Sequence, residues 1–147
     1  MMETVMPQRA REILLVEDSP DDLKMVLLAL NKSERRKNIA TSMDGEQAMA
    51  YLGGRAEGSR PDLIILDLNL PKKDGWQVLA ECKSDAQLKC IPIVVFTTSE
   101  SQSDVDRCYA LGANSYVTKP FDLDDFQEAV GMIEDFWLGL SAPWVQG

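Results

Sequence analysis

Four stretches of the chain carry side chains whose types and spacing suit chemistry. An acidic pair, Glu17-Asp18, follows the apolar run I-L-L-V. A single carboxylate, Asp67, ends L-I-I-L. Hydroxyls Thr97, Thr98 and Ser99 end I-V-V-F, and an amine, Lys119, stands before Pro120 after S-Y-V-T. If these stretches converge, three carboxylates meet within a few ångströms, where they repel and resist ionising together. A hard divalent cation resolves that conflict, and oxygen ligands with open water positions suit Mg²⁺. The same cation would neutralise a phosphoryl group arriving at Asp67, while Lys119 binds one phosphoryl oxygen and Thr97 another. Phosphoryl transfer asks mostly for positioning and charge neutralisation, and a carboxylate is a competent covalent acceptor.

The elements needed to bring these residues together can be read from periodicity. Glu12–Glu17 is an apolar run ending in acid and reads as strand one. Ser19-Pro20-Asp21-Asp22 then supplies an N-cap, a proline at the first helical position and acids in the first turn, with Leu23, Val26, Leu27 and Leu30 following at helical spacing. Asn38–Ser42 is a weak second strand. Asp44 and Gln47 cap a second helix burying Ala48, Tyr51 and Leu52, which Gly53-Gly54 ends. Asp62–Asp67 is strand three, too short for a helix and apolar on both faces, so it reads as buried on both sides. Asp74 and Gln77 cap helix three, with Val78, Leu79 and Cys82. Ile91–Thr97 is strand four, and Ser101 and Asp104 cap a helix carrying Val105 and Cys108 that stops at Gly112. Ser115–Val117 is a short fifth strand, and Asp122 starts a last helix with Leu123, Phe126, Val130, Ile133 and Trp137 inward. Strands alternating with helices imply right-handed βαβ units and a parallel sheet covered on both faces, a three-layer α/β/α domain. In a parallel sheet all strand carboxyl ends lie on one edge, where open α/β sheets place their chemistry. Asp67 is the first residue to ask about.

Composition bounds the rest. The 147 residues suit one domain with one core. A net charge of −9 argues against nucleic-acid binding and fits carboxylates gathered around a cation. The chain has no histidine, which excludes His-based acid/base catalysis, His metal sites and a phosphohistidine donor within it. No apolar run approaches the roughly 20 residues of a membrane span, and Met1–Arg9 lacks the apolar stretch of a secretory signal. Cys82, Cys90 and Cys108 show no metal-ligand spacing, and reduced thiols in a cytoplasm are the simplest state. The expected organisation is a disordered lead-in over 1–10, one domain over 11–138 and a C-terminal tail over 139–147. The apolar residues Phe136, Trp137, Leu138, Leu140, Trp144 and Val145 suggest that the end of the chain packs on a partner or on a second copy.

Taken together, the acidic pair Glu17-Asp18, Asp67 followed by L-N-L-P-K-K-D-G, the hydroxyl Thr97 and the T-K-P at Thr118–Pro120 fall in an order and spacing that resembles the receiver domain of two-component response regulators, over about residues 11–138. The resemblance implies a flavodoxin-like five-stranded parallel sheet of order 2-1-3-4-5. It implies that Asp67 accepts phosphoryl from a sensor histidine kinase, with Thr97 and Lys119 assisting. Asp18, Asp67 and the Asn69 backbone carbonyl would ligate Mg²⁺, with Glu17 assisting through water. Thr97 and Tyr116 would be a switch pair, with the aromatic swinging inward, and Lys119-Pro120 is expected to be cis. The acidic pair is Glu-Asp where many members have Asp-Asp. The segment P-I-V-V-F-T-T-S-E-S, the L-N-L-P-K-K-D-G-W turn and the late F-W resemble receivers paired with bacterial phytochrome kinases. The chain stops after the last helix, so the expectation is a stand-alone receiver that catalyses only its own phosphorylation and dephosphorylation. Its partners would be a kinase and a downstream protein, with a homodimer through helix four, strand five, helix five and the tail.

Blander readings stand beside these. A lone aspartate at a strand end more often caps a turn, Thr97 suits a strand by propensity, Lys119 suits a solvated turn, and Tyr116 by itself is a half-buried aromatic. The acids Asp122, Asp124 and Asp125 favour a helix start, and the cysteines read as small core residues. A rival class is a haloacid-dehalogenase-type phosphatase, which also uses an aspartate nucleophile with Mg²⁺, Thr and Lys. Such enzymes usually carry a second aspartate two positions on, where this chain has Asn69. A flavodoxin-like FMN carrier is a third option, but Glu17-Asp18 would repel the FMN phosphate.

Overall fold

The protein is described by a computed structural model covering residues 9–56 and 58–141. Five strands alternate with five helices: β1 (Arg11–Val16), α1 (Pro20–Asn31), β2 (Lys37–Ser42), α2 (Gly45–Gly53), β3 (Leu63–Leu66), α3 (Gly75–Ser84), β4 (Ile93–Thr97), α4 (Gln102–Ala110), β5 (Ser115–Thr118) and α5 (Leu123–Glu134). A π-helical segment, Asp135–Leu140, continues from α5. All strands are parallel in one sheet of order β2-β1-β3-β4-β5, as the resemblance implies. No helix among the described residues is long and apolar enough to cross a membrane.

Period-two alternation explains why the central strands are apolar throughout. Leu14, Val16, Ile64, Leu66, Ile93 and Val95 point to one face and pack with Ala48 and Leu52 of α2, Val78, Leu79 and Cys82 of α3, and Cys108 of α4. Ile13, Leu15, Leu63, Ile65, Val94 and Phe96 point to the other, against Val26 and Leu30 of α1 and Phe126, Val130 and Ile133 of α5. Phe96 and Phe126 meet edge to face with centroids 5.1 Å apart. Each such aliphatic side chain, fully buried, contributes about 1.5–3 kcal/mol, so the two layers supply the stability that the polar edge does not.

The expected caps form. The side chains of Ser19, Asp44, Ser101 and Asp122 each accept a backbone N–H at the starts of α1, α2, α4 and α5, and Asp74 with Gln77 makes a reciprocal capping box on α3. Gly112, at φ +105°, turns the chain after α4 in a conformation that suits glycine. Several details differ from expectation. Cys90 is exposed, while Cys82 and Cys108 are buried as core residues, and Tyr51 is only half-buried. Leu123, expected inward, is exposed: it opens α5 just past the end of β5, beyond the sheet that covers Phe126 and Val130. Trp137 is half-buried on the π-helical segment, since α5 itself ends at Glu134. The Lys119-Pro120 peptide is trans, not cis, in line with the intrinsic preference of X–Pro bonds. Trp144 and Val145 of the apolar tail, and residues 1–8 of the lead-in, lie outside the described residues; Arg9 is described and bonds Asp62 at 2.5 Å.

One close approach fixes how α3 starts. The Gly75 N–H donates to the Leu68 carbonyl at 2.9 Å, and a Cβ placed on Gly75 would stand 2.2 Å from the Asp67 carbonyl oxygen and 2.6 Å from Leu68 Cα. Both obstacles are backbone and cannot swing away. Gly75→Ala is therefore expected to cost about 3 kcal/mol, the upper range for overpacking, measured by urea unfolding. Stability within a few tenths of the parent would mean that the turn after Asp67 can relax around a methyl group.

Candidate functional site

Strand register brings the polar ends together. Val16 pairs with Leu66, and Leu66 with Val95, so the residues that follow leave the sheet side by side. The ladder continues one step into the site. The Asp67 N–H donates to the Val16 carbonyl at 3.0 Å, the Glu17 N–H to Ser42 at 2.9 Å, and the Lys119 N–H to Thr97 at 2.7 Å. Side chains that would be costly to order on loops are thus set by backbone hydrogen bonds of a rigid sheet.

Lys119 stands at the centre. Its ammonium donates to Glu17 Oε1 at 2.6 Å, Asp67 Oδ2 at 2.8 Å and Asp22 Oδ2 at 2.8 Å, which uses all three of its protons. Its side chain is 4% exposed, that of Glu17 3% and that of Asp67 8%. Carboxylate oxygens of Glu17, Asp18 and Asp67 lie within 4.8 Å of one another. Glu17 is also held by the Ser19 N–H at 3.2 Å, and Asp67 Oδ1 by the Asn69 N–H at 3.2 Å. Asn69 is exposed beside the cluster. Three carboxylates therefore share one ammonium with Asp18 beside them, and the surplus of negative charge in a partly dry site is what a divalent cation offsets. The donor set is all oxygen, which fits Mg²⁺.

The electrostatics follow from burial. Burial drives the Glu17 carboxyl up to about 7, against the hydrogen bond from Lys119, with the Asp67 charge adding to the rise. Burial alone would lower Lys119, but hydrogen bonds to Asp22, Asp67 and Glu17 override it and hold the ammonium above its ordinary range.

Thr97 ends β4 fully buried, and its hydroxyl has no partner among the described residues. A buried hydroxyl without a partner is costly, and here it lies at the sheet edge that carries the carboxylates. Tyr116 does not reach the carboxylates. Its ring packs against the core, its hydroxyl donates to the Ser99 carbonyl at 2.8 Å, and its N–H donates to the Tyr109 hydroxyl at 3.1 Å. The Thr118 hydroxyl also donates to Ser99, at 3.4 Å. The structure thus brings Glu17, Asp18, Asp67 and Lys119 into one cluster, with Asn69 against Asp67, and leaves Tyr116 on β5 with its hydroxyl tied to the loop after β4. It adds Asp22, which the sequence shows only as one of two acids in the first turn of α1. Its signal was its place four residues after Asp18, on the loop-to-helix turn that leaves the site. A groove of about 570 Å³ opens beside the cluster, lined by Asp22, Met25, Glu100, Lys119 and Phe121 among others.

Similarity to known proteins agrees with this geometry. Residues 13–131 match the family described as the response regulator receiver domain. Response regulator Rcp1 of Synechocystis sp. is 48% identical over 129 residues, 86% of this chain and 88% of Rcp1. The solved structure of the phosphorylated cyanobacterial phytochrome response regulator RcpA superposes with a TM-score of 0.87 at 46% identity, covering 92% of this chain and 99% of that one. The Mn²⁺-bound form of Rcp1 gives a TM-score of 0.86 at 45% identity, covering 92% and 99%.

The position of Glu17 has a consequence for stability. Its carboxyl lies above its ordinary value in the folded protein, so the stability it contributes is present at acid pH and lost as pH rises through about 7. Without metal, Glu17→Gln is expected to raise the melting temperature at pH 8 and to lose that advantage toward pH 5, as read by scanning calorimetry at both values. A variant less stable than the parent at pH 8 would show that the bond to Lys119 outweighs the burial of the charge.

Proposed function

Because the chain belongs to the response-regulator receiver family, we propose that it accepts a phosphoryl group from a sensor histidine kinase onto Asp67 and passes the signal on as a changed protein-binding face. The observation that carries the reading is a buried carboxylate at a strand end whose ammonium partner is shared with further carboxylates, beside a buried hydroxyl with no partner. In the reaction, an Asp67 oxygen attacks phosphorus, the P–N bond of the donor breaks, and its electron pair leaves on the imidazole nitrogen. Lys119 follows the charge from the carboxylate to a phosphoryl oxygen, and the Thr97 hydroxyl turns to another. Glu17, Asp18, Asp67 and the Asn69 carbonyl are the proposed holders of Mg²⁺; the Mn²⁺-bound form of Rcp1 supports a divalent site. Bound there, the ion supplies charge neutralisation for the incoming phosphoryl oxygens. The chain turns over nothing beyond its own acyl phosphate.

Thr97 and Tyr116 form the proposed switch pair. Tyr116 and Thr118 both donate to the Ser99 carbonyl, so a shift of the segment after Thr97 reaches β5 directly. The signal then leaves through α4, β5 and α5, toward a downstream protein or a second copy of the chain. Exposed Tyr109 and Met132 on those helices support that face. The relation to a phytochrome response regulator supports a phytochrome-type kinase as the donor, and residues 11–138 as the working domain.

Incubation with an autophosphorylated histidine kinase and Mg²⁺ is expected to label the chain stoichiometrically. Asp67→Asn should abolish labelling while keeping the parental circular-dichroism spectrum, and chelation of the metal should abolish it in the parent. Steady release of phosphate from a simple monoester, surviving Asp67→Asn, would overturn the reading.

A further inference from the structure

Asp22 lies outside the group of carboxylates placed to hold a metal, Glu17, Asp18 and Asp67, yet its Oδ2 takes a proton of Lys119 at 2.8 Å. It sits in the first turn of α1, where the Ser19 side chain accepts its N–H, and its side chain is 27% exposed at the mouth of the groove. The three acceptors on Lys119 have different prospects once a phosphoryl group arrives. Asp67 becomes the acyl phosphate and gives up an oxygen. Glu17 faces the cation. Asp22 alone keeps an unchanged carboxylate against the ammonium, and it adds negative charge beside an incoming dianion. Both effects act in the same direction.

We propose that Asp22 is a positioning residue that competes with the phosphoryl group for Lys119 and so weakens the site's hold on that group. The inference rests on the reading of Asp67 as acceptor. In the resting protein Asp22 completes the ammonium's three hydrogen bonds and draws it toward α1. In the loaded protein it is the acceptor from which a phosphoryl oxygen must win the ammonium. The consequence falls on binding of the phosphoryl group and not on the identity of the acceptor.

The test uses beryllofluoride, a tetrahedral phosphoryl mimic that carboxylates bind without turnover, titrated into the full chain with Mg²⁺ and followed by tryptophan fluorescence or fluorine NMR. Asp22→Asn is expected to tighten binding about 5-fold, the scale of a partly exposed ion pair. Asp22→Glu, which keeps the charge, should return the affinity toward the parent. With phosphoramidate as a small phosphodonor, Asp22→Asn should lower the half-saturating concentration by a similar factor and change the limiting rate less. Unchanged or weaker affinity in a folded Asp22→Asn protein overturns the inference while leaving Asp67 as acceptor. Equal tightening by Asp22→Asn and Asp22→Glu also overturns it, because loss of packing rather than of charge would then be the cause. If neither parent nor variants take up the mimic or the phosphoryl group, the acceptor reading itself falls, and this inference with it.

Discussion

One ammonium holds the carboxyl edge of the sheet together. Lys119 is buried, and so are Glu17 and Asp67. Each would be costly to bury alone, since an unpaired charge in a dry site costs several kcal/mol. Lys119 makes the edge tolerable by donating to three carboxylates from one point, but it does not balance them. The site remains negative, and burial shows through in the raised carboxyl of Glu17. Such a site is stable enough to persist and has a standing appetite for positive charge.

That arrangement depends on the sheet. Glu17, Asp67 and Lys119 come from parts of the chain about 50 and 100 residues apart, and only the parallel register brings them level. Val16, Leu66 and Val95 pair across neighbouring strands, and the next backbone N–H groups continue the ladder into the site. The apolar layers on both faces keep the strands rigid, and Gly75 lets the turn after Asp67 fold back with no side chain between. Position comes from the β-ladder, stability from the two cores, and reactivity from what the ladder leaves uncovered.

Most of this was legible in the sequence because the local signals agree with one another. Capping residues precede each helix, apolar runs end in polar residues, and helical spacing picks out Val26, Leu30, Val78, Leu79, Phe126 and Val130, all of them buried. The convergence of Glu17, Asp18, Asp67 and Lys119 follows from strand order. What was hidden is long-range and specific. Asp22 has a sufficient local reason to exist, as an acid in a helical first turn, so nothing local announces its bond to a lysine 97 residues away. Glu134 reads as one more polar residue on α5, but it is buried against Arg35 and Lys37. Leu123 matches the apolar spacing and is exposed because no sheet extends beneath it. Periodicity describes a helix; it does not say where the neighbouring layer ends.

The two edges of the sheet treat buried charge in opposite ways. At the amino ends of the strands, Arg11 and Lys37 stand side by side in register. Glu134 takes Lys37 at 3.2 Å and Arg35 at 2.7 Å, Asp62 takes Arg9 and Arg11, and Arg11 also donates to the Leu138 carbonyl at 2.9 Å. Cations there match or exceed carboxylates, and the result fastens the π-helical segment to the sheet. Burial by itself would raise Asp62, but its arginines and the Glu12 N–H hold it below its ordinary range. At the carboxyl ends the ratio is reversed, and Glu17 is pushed the other way. The fold can therefore neutralise its buried carboxylates, and it does so where only cohesion is at stake. The imbalance around Lys119 is confined to the edge where strand ends open onto a groove, which is where a cation and a phosphoryl group could complete it.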